Sequence, residues 1–331
     1  MTPEKFQMFE NRLLKNYKHR LKQAKRLNVT CWRLYDHDLP EFPICVELYE
    51  EYIYIAEYNR RHALTDEEHD IWFIETKKII SNMTGVPVDH MYVKLRKRMS
   101  HREGQYEKEA VTESKIITVN ENGLQFYVNI ENGQKTGYFL DQQDNRRAIQ
   151  KIVSGADVLG AFTYTGTFEI HAAHYGAKSV LGIDISESAV AQANKNAALN
   201  KLDHIVKFET MNAFDVLKTW GKEGRKYDVV MLDPPAFTKS RNSIDKAITG
   251  YKEINLRGMK MINSGGFLVT SSCTNLVSPE LFLDTIDMAA RDAKKRIRQV
   301  TYQSQSSDHP IIWGMENTHY LKFLIVEVRD R

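Results

Sequence analysis

The sequence predicts two domains, a smaller N-terminal α+β domain and a larger α/β domain built on an open, mostly parallel sheet. The chain has 331 residues, more than one small domain needs. Helical and strand patterns are mixed in its first part, whereas strands and helices alternate regularly from Gly137 onward. That alternation is typical of parallel sheets with helices on both faces. We place the N-terminal domain at residues 1–112, a bridging β-hairpin at 113–136 and the second domain at 137–331.

The N-terminal domain begins with a predicted amphipathic helix over residues 4–28. Its apolar residues recur at helical spacing, and basic residues lie between them. A second helix over residues 65–83 begins with Thr65-Asp66-Glu67-Glu68, which is a capping-box pattern. Runs of apolar and aromatic residues predict strands at 31–35, 43–48, 52–58 and 91–97.

The hairpin and the second domain follow in order. Strands at 114–120 and 124–130 flank Asn122-Gly123, a dipeptide that favours the positive φ angles of a tight turn. The strands predicted in the second domain are 157–160, 179–184, 205–210, 227–232 and 266–271. The helices predicted between them are 166–175, 186–200, 214–219 and 244–262. The sequence contains no internal repeat and no low-complexity linker.

The distribution of charge indicates a polyanionic partner. With 46 basic and 43 acidic residues the formal net charge is only +3, so the total excludes little. Two basic clusters nevertheless lie in the first half of the chain, as expected of a protein that binds nucleic acid. The alternative is that they form ordinary solvated surfaces. The proposed RNA-binding residues are Arg12, Lys15, Lys18, Lys22, Lys94, Arg96, Lys97 and Arg98.

Composition also limits the setting in which the protein works. The three cysteines, Cys31, Cys45 and Cys273, cannot all pair and lack metal-ligand spacing. No apolar run is long enough to span a bilayer, and the first twenty residues lack the apolar core of a secretory signal. We therefore expect a reduced, cytoplasmic setting with no membrane and no metal.

The first strand of the second domain leads into a loop that suits a ligand. In such sheets ligands bind at the carboxyl ends of the strands. Small residues there let the backbone approach a ligand and turn tightly into a helix, although glycines also occur in ordinary turns. The loop residues assigned to the cofactor site are Phe162, Thr163, Tyr164, Thr165 and Gly166.

The next strand ends in Asp184, followed by Ile185. A carboxylate at this strand end can accept hydrogen bonds from the two hydroxyls of a ribose. It can equally cap the following helix near Ser186, and the two roles are compatible. The same geometry serves a nicotinamide dinucleotide, so Asp184 does not distinguish a dehydrogenase from other nucleotide-cofactor enzymes.

The fourth strand of the second domain is more specific. It runs into Asp233-Pro234-Pro235, with Phe237 two positions later. Two prolines stiffen the turn and direct its carbonyl groups into the crevice. A stiff, carbonyl-lined turn with a nearby aromatic ring suits a flat base held by its edge. We therefore predict that Asp233, Pro234 and Phe237 form the catalytic site, with Asp233 also contacting the cofactor.

Taken together, these segments resemble the class I methyltransferases that use S-adenosylmethionine (SAM). More narrowly, they resemble bacterial 23S rRNA methyltransferases of the guanine-N7 and cytosine-C5 group. The segments that carry this resemblance are 135–141, Arg146-Arg147, 162–166, Asp184, Asn212-Ala213, 233–237 and 250–252. It implies a Rossmann-like methyltransferase sheet, SAM as cofactor with S-adenosylhomocysteine (SAH) as product, and a partner that is 23S rRNA or a large-subunit assembly intermediate.

The resemblance also implies roles for further residues. Tyr138, Phe139 and Asp141 would close over the methionine end of SAM, and Asp184 would hold the ribose. Asn212 stands where relatives commonly have Asp beside the adenine, and an amide keeps an acceptor there. The remaining residues assigned to the cofactor on this basis are Arg146, Ile185 and Ala213.

Two target bases fit this resemblance. Guanine N7 has a lone pair and no proton to lose, so the enzyme needs only to position it. Cytosine C5 requires a thiolate to add at C6 first. Cys273 could supply that thiolate, because the surrounding segment 270–275 resembles the cytosine-C5 relatives, as do 308–310 and 320–322. An incidental buried cysteine is the alternative.

The N-terminal half favours guanine N7. Segments 9–16, 31–41 and 105–106 resemble the guanine-N7-forming half of a bifunctional 23S rRNA methyltransferase. The cytosine-C5 relatives instead carry a small RNA-binding barrel, where this sequence predicts a basic helix. Phe237 or Tyr164 could stack on an unpaired or flipped base. Alternatives of other classes are a non-catalytic RNA-binding protein with this fold, a small-molecule methyltransferase and a dehydrogenase.

Overall fold

The computed structural model describes residues 1–58, 64–96, 115–131, 137–238, 240–315 and 318–331. The chain divides into two compact units, Met1–Leu140 and Asp141–Arg331. Each unit has its own sheet and its own hydrophobic core.

The first unit is a four-stranded sheet with two helices and a separate hairpin. The helices are α1 (Pro3–Leu27) and α2 (Asp66–Thr84). The strands are β1 (Cys31–Asp36), β2 (Ile44–Tyr49), β3 (Tyr52–Tyr58), β4 (Met91–Arg96), β5 (Ile116–Glu121) and β6 (Leu124–Asn129). Strands β1, β2 and β3 are antiparallel neighbours, and β4 is parallel to β3. The predicted α+β character and the elements of this unit are confirmed.

The core of the first unit holds α1 by one narrow face. Phe9 and Leu13 of α1 are fully buried, and Phe9 stacks on Phe42 at 4.2 Å between ring centroids. Trp72 of α2 lies in the same cluster. The capping box predicted at Thr65 is present, because its side chain and that of Glu68 bond each other's backbone amides. The basic side of α1 is thereby left to solvent.

The hairpin of β5 and β6 turns at Asn122 and Gly123. Both have positive φ, 55° and 85°, as the Asn-Gly dipeptide predicts. Backbone and side-chain bonds also link Asn120 to Thr30, with Thr30 N donating to Asn120 O at 3.0 Å and Asn120 N donating to Thr30 Oγ1 at 2.8 Å. The hairpin therefore belongs to the first unit, whereas we predicted a separate bridge.

The second unit has a seven-stranded sheet and six α-helices among its described residues. The strands are β7 (Asp157–Ala161), β8 (Ser179–Asp184), β9 (Val206–Thr210), β10 (Tyr227–Leu232), β11 (Ile262–Ser272), β12 (Lys295–Gln303) and β13 (Lys322–Asp330). The helices are α3 (Gln143–Ala148), α4 (Thr167–His174), α5 (Glu187–Leu199), α6 (Ala213–Glu223), α7 (Ile244–Lys260) and α8 (Pro279–Asp292).

The sheet order is β12-β13-β11-β10-β7-β8-β9. The five strands from β11 to β9 are parallel, and β13 is antiparallel to both of its neighbours. Helices α6, α7 and α8 contribute to one buried apolar cluster with β10, β11 and β13, while α4 and α5 contact β8 and β9. The predicted open, mostly parallel sheet is confirmed, and the ends of β7, β8 and β10 meet at one edge.

The sequence analysis missed four elements of the second unit: α3, α8, β12 and β13. Helix α8 has clear start signals, because Ser278 accepts a hydrogen bond from the amide of Leu281 and Pro279 occupies the first turn. Strand β12 is mostly charged or polar, with Ile297, Val300 and Tyr302 among its nine residues, and has β13 as its one neighbour in the sheet. Such a polar edge strand resembles a surface loop in sequence.

Within the described ranges, the helices are either too short or too polar to cross a lipid bilayer. The same ranges contain no group of three or more His, Cys, Asp or Glu side chains arranged to hold a metal ion.

Candidate functional site

The loop after β7 is held in an uncommon backbone conformation. Phe162 and Tyr164 have φ of 64° and 48°, and Gly166 has φ of 78°. Left-handed geometry is rare for residues other than glycine and clusters at functional loops. The loop is fixed by hydrogen bonds from Thr163 N to Ile183 O at 3.2 Å and from Gly166 N to Thr163 O at 2.8 Å.

Gly166 could not be replaced without moving the core. A Cβ on Gly166 would lie 2.3 Å from the ring of Phe208, and one on Gly182 would lie 2.4 Å from the same ring. The two glycines let Phe208 of β9 fill the space beneath the loop. The small residues recognised in the sequence therefore serve packing as well as ligand approach.

Asp184, at the end of β8, ties this loop to the next helix. Its Oδ2 accepts from Tyr164 N at 2.9 Å, and its Oδ1 accepts from Ser186 N at 2.9 Å. Ser186 in turn caps α5. Each carboxylate oxygen has a second lone pair, so Asp184 can also accept from a ligand hydroxyl. The capping role and the predicted ligand role are compatible in this geometry.

Asp233, at the end of β10, is the centre of a hydrogen-bond chain. Gln142 Nε2 donates to its Oδ1 and Oδ2 at 3.1 and 3.3 Å, and Ser271 Oγ donates to Oδ1. Asn145 Nδ2 holds Gln142 by donating to its Oε1 at 2.6 Å. The segment before α3 and the end of β11 therefore fix the orientation of this carboxylate.

A second connection joins Asp141 to the C-terminal part of the unit. Tyr320 donates its hydroxyl to Asp141 Oδ2 at 2.8 Å. Ser306 donates its backbone amide to Asp141 O at 2.8 Å and its hydroxyl to the same oxygen at 3.1 Å. Asp141 is buried, so these bonds fix the start of the segment that carries Gln142.

Cys273 lies beside the Asp-Pro-Pro turn. Its Sγ is 3.9 Å from Pro234 O, and the residue is half-buried. Lys322 is fully buried next to it, donating to Thr274 O and, at 3.0 Å, to Tyr320 O. Burial lowers the pKa of Lys322 to about 8, and the charge of Cys273 opposes that shift. A thiol and a buried cation therefore share this corner of the site.

The open side of the site is bordered by exposed apolar side chains. Ile185, directly after Asp184, is 70% exposed, and Phe214 is 39% exposed. Asn212 is exposed and accepts the amide of Phe214 at 3.0 Å as the cap of α6, while Ala213 is buried. Exposed large apolar residues next to hydrogen-bond acceptors are typical of a ligand site.

A family comparison decides what kind of site this is. Residues 88–310 match the model of a family described as S-adenosylmethionine-dependent methyltransferases, and this range covers more than half of the chain. The chain belongs to that family. The resemblance to SAM-dependent methyltransferases is confirmed, and with it SAM as the cofactor and methyl transfer as the chemistry.

This methyltransferase is similar in sequence to ribosomal RNA large subunit methyltransferases. It is 40% identical over 215 residues to the ribosomal RNA large subunit methyltransferase I of Alteromonas mediterranea, covering 65% of this chain and 54% of that protein. It is 39% identical over 238 residues to the protein of the same name from Aeromonas salmonicida, covering 72% and 60%. The chain thus spans little more than half the length of these relatives.

Solved structures show the same fold. A proposed SAM-dependent methyltransferase from Streptococcus mutans superposes with a TM-score of 0.78 at 21% identity, covering 97% of this chain and 81% of that one. A proposed methyltransferase complexed with SAH superposes with a TM-score of 0.76 at 21% identity, covering 96% and 81%. The Rossmann-like methyltransferase architecture is confirmed.

The residues of the second unit fit SAM. Asp184 and Asn212 offer acceptors at adjacent strand ends, and Ile185 and Phe214 offer apolar surface that an adenine would cover. The turn at Phe162–Gly166 brings backbone close to the same edge. When bound, SAM supplies a methyl group carried on a positively charged sulfur. The assignment of individual residues to it stays a prediction.

Other predicted site residues lie in different surroundings. Phe237 is half-buried and packs against Tyr251 at 4.6 Å, so its ring is partly committed to the core. Burial raises the pKa of Tyr164 to about 12, with Asp184 adding to the shift. Arg146 is fully buried on α3. Stacking on a base and contact with the cofactor stay predictions for these three.

Two predicted cofactor residues precede the second unit. Tyr138 is buried in the first unit, where its hydroxyl donates to Glu121 and its ring lies 5.4 Å from that of Phe126. Phe139 is half-buried. Tyr138 therefore fixes the chain against the hairpin, and its role over the cofactor stays a prediction.

All four of the predicted RNA-binding residues of α1 are exposed, as expected of surface cations. Arg12, Lys15, Lys18 and Lys22 are exposed, and Arg12 pairs with Asp38 at 3.4 Å. Lys94 of β4 is also exposed, whereas the side chain of Arg96 and the residues Lys97 and Arg98 lie outside the described residues.

Sequence reasoning missed three residues of the site: Gln142, Ser271 and Glu169. Gln142 and Ser271 bond Asp233, but an amide and a hydroxyl are common residue types with no spacing that marks them. Glu169 is buried in the first turn of α4. An acidic residue in a predicted helix whose neighbours are mostly apolar, at 168–173, was the available signal for it.

Proposed function

We propose that this chain methylates a base in the RNA of the large ribosomal subunit, with SAM as methyl donor. The observation that carries this proposal is the 39–40% identity to proteins named ribosomal RNA large subunit methyltransferases, over 65–72% of this chain. Identity at this level in one family supports a related substrate class. The matched region spans 54–60% of the length of those proteins.

The exposed cations of α1 support an RNA substrate. Lys15, Lys18 and Lys22 are three or four residues apart and therefore lie along one side of the helix. The opposite side is anchored by Phe9 and Leu13 in the core. A row of cations on a rigid helix suits the phosphate backbone of a nucleic acid and holds it without reading its sequence.

Trp313 offers a second feature suited to RNA. It is 97% exposed, whereas the other three tryptophans of the chain are buried. Described residues on either side of it bond to Thr318, whose hydroxyl donates to Met315 O at 2.7 Å and accepts from Ile312 N at 2.9 Å. A large exposed aromatic ring suits stacking on an unpaired base.

For the target base, the surroundings of Cys273 support cytosine C5, whereas the sequence analysis favoured guanine N7. In-line transfer to N7 needs neither a thiol nor a buried cation. Transfer to C5 needs both a nucleophile and a means of keeping it ionised, and Cys273 lies beside Lys322 at the Asp233-Pro234 turn.

The proposed reaction has three steps at the base. The Cys273 thiolate adds to C6 of cytosine and the electrons of the C5–C6 double bond move onto C5, which makes C5 nucleophilic. C5 then takes the methyl group as the bond from that group to the sulfur of SAM breaks, which leaves SAH. Water takes the proton from C5, and the electron pair of that C–H bond restores the C5–C6 double bond and expels the Cys273 thiolate. We propose that Asp233, whose carboxylate is oriented by Gln142 and Ser271, accepts a hydrogen bond from the amino group of the base.

Guanine N7 is the second candidate. It is favoured by the resemblance of the first unit to the guanine-N7-forming half of the bifunctional enzyme. The two candidates differ in one requirement, since only the cytosine reaction passes through a bond to Cys273.

The test is transfer of a labelled methyl group from SAM to purified substrates. We expect label in unmodified large-subunit rRNA or in immature large subunits, and none in small-subunit rRNA or in a metabolite extract. Equal labelling of both rRNAs would contradict the substrate proposal. Binding of RNA without SAM affinity at millimolar concentration would favour the non-catalytic alternative.

A further inference from the structure

Glu169 is a buried carboxyl group that none of the steps above uses. It lies in the first turn of α4 and is 3% exposed. Its Oε2 has no hydrogen-bond partner among the described residues. A buried, unsatisfied carboxyl oxygen is costly to a fold and calls for an explanation in function.

The fold makes room for this side chain. A Cβ on Gly160 would lie 2.0 Å from Glu169 Oε1, so the glycine in β7 leaves the space that the carboxyl occupies. Gly160 pairs with Met231 of β10 and with Gly182 of β8. Asp233 and Asp184 follow those partners by two residues. At a strand rise of about 3.3 Å per residue, both acids stand roughly 7 Å further along the sheet.

The charges around Glu169 favour its neutral form. Burial raises the pKa of Glu169 to about 8, and the carboxylates of Asp233 and Asp184 add to the shift. On α4 itself His171 is buried, with Nδ1 2.7 Å from Thr167 O. Of the other elements that contact α4, α3 carries the buried Arg146 and the half-buried Asp144 and Arg147, and the turn at 149–151 ends in the exposed Lys151. Strands β7 and β8 carry Asp157 and Asp184, while the buried residues of α5 and β9 are uncharged. Glu169 is more buried than either Asp233 or Asp184, and both its burial and these two neighbouring charges favour its protonated form.

We propose that Glu169 is a charge-sensing group beneath the cofactor site, neutral in the ligand-free protein and ionised when the cationic sulfur of SAM is bound above it. The proton leaves the carboxyl group for solvent, and no other bond is made or broken. SAH has the same amino and carboxyl groups as SAM but no charge on sulfur. Ionised Glu169 therefore favours the methyl donor over the spent product. This inference rests on family membership and not on the RNA proposal.

The sign of the pH dependence follows from the proton balance. Below the raised pKa of Glu169, binding of SAM releases a proton, so its affinity rises with pH. The rise is at most about tenfold per pH unit for one proton, and it flattens above pH 8. For SAH the rise is smaller, because no sulfonium charge favours the ionised carboxyl.

The experiment measures binding of SAM and of SAH by titration calorimetry between pH 6 and 9. Each pH is measured in two buffers of different ionisation enthalpy, which gives the number of protons released. The variants are Glu169→Gln, which keeps the shape of the side chain but cannot ionise, and Glu187→Gln as a control on the exposed side of α5. The amino group of each ligand titrates in every sample, so its contribution cancels when the same ligand is compared between the wild type, E169Q and E187Q.

We expect the wild type and E187Q to release more protons with SAM than with SAH near pH 7. We expect E169Q to lose that difference and about tenfold of the preference for SAM at pH 8. Equal proton release with SAM and SAH in the wild type, a measurement that needs no variant, would overturn the proposal. So would a folded E169Q that keeps the wild-type profile.

Discussion

The two units of this protein use charge in opposite ways. On α1 of the first unit, Lys15, Lys18 and Lys22 are exposed, and the apolar side of the same helix carries its packing. In the second unit, Glu169 and Lys322 are buried and their pKa values are displaced. Exposed cations attract a polyanion along a whole surface, whereas buried charges control chemistry at a particular atom.

This difference divides the variants into two classes. Changes in the second unit should affect the reaction or the cofactor and leave the salt dependence of RNA binding alone. Changes on α1 should do the reverse. The four predictions below are ordered from the largest expected effect to the smallest.

The largest effect is expected for Cys273→Ala. If the thiol bonds to cytosine C6, its removal should lower methyl transfer by about ten-thousand-fold or more, as for other covalent nucleophiles. SAM affinity should stay within about twofold, because Cys273 contacts the Pro234 carbonyl and not Asp184. The measurement is single-turnover transfer of labelled methyl. Full activity of a folded C273A would restore guanine N7 as the target.

The next effect is expected for Asp184→Ala. The carboxylate accepts backbone amides from Tyr164 and Ser186 and is predicted to accept the ribose hydroxyls. Bonds to a charged group are each worth about 1.5–3 kcal/mol, so SAM affinity should fall by about tenfold to a hundredfold. Calorimetric titration measures this. Asp184→Asn, which keeps one acceptor, should lose less, and unchanged affinity in D184A would remove Asp184 from the site.

A third effect is expected for Lys322→Met, which keeps most of the buried volume but removes the cation beside Cys273. Loss of that charge disfavours the thiolate, so alkylation of Cys273 by iodoacetamide at pH 7 should slow by about tenfold. Because the pKa of Lys322 is about 8 in the wild type, the ammonium is lost above that pH. The ratio of wild-type to K322M rates should therefore shrink as pH rises through 8.

The buried Cys31 and Cys45 supply an internal control for this reading, since they should stay unmodified in both proteins. A ratio of one at every pH would show that Lys322 only fills space.

The smallest effect on chemistry is expected for the triple variant with Lys15, Lys18 and Lys22 changed to Glu. It should weaken RNA binding and lower the slope of log affinity against log salt by up to about three, while SAM affinity stays unchanged. Filter binding at several salt concentrations measures the slope. The matched control changes three exposed lysines of the second unit, Lys195, Lys201 and Lys207, to Glu. If both triple variants lost the same amount of RNA affinity, the effect would come from the change in net charge and not from the position of the lysines on α1.

The same comparison explains what the sequence could predict. Periodicity predicted α1, the β7–β11 alternation and the Asn122-Gly123 turn, because these depend on local patterns of apolar residues and on backbone preference. Periodicity did not predict the short helix α3 or the polar edge strand β12. Strand β12 is stabilised by its pairing with β13, which depends on the tertiary fold.

The residues of the site also divide into those that local sequence patterns indicate and those that depend on the tertiary fold. Asp184 and Asp233 stand at strand ends and could be found from strand order alone. Gln142, Ser271 and Glu169 act through contacts between residues far apart in the chain, such as the bond from Gln142 to Asp233. No spacing along one sequence encodes such a contact. The displaced pKa of Glu169 likewise depends on burial, which only the fold determines.

The central claim is that this methyltransferase modifies a cytosine of large-subunit rRNA through Cys273. Nucleoside mass spectrometry after reaction of the purified protein with SAM and unmodified large-subunit rRNA tests it most directly. The account predicts one new 5-methylcytidine per rRNA molecule, absent when C273A is used. A new 7-methylguanosine formed equally well by the wild type and by C273A would contradict it.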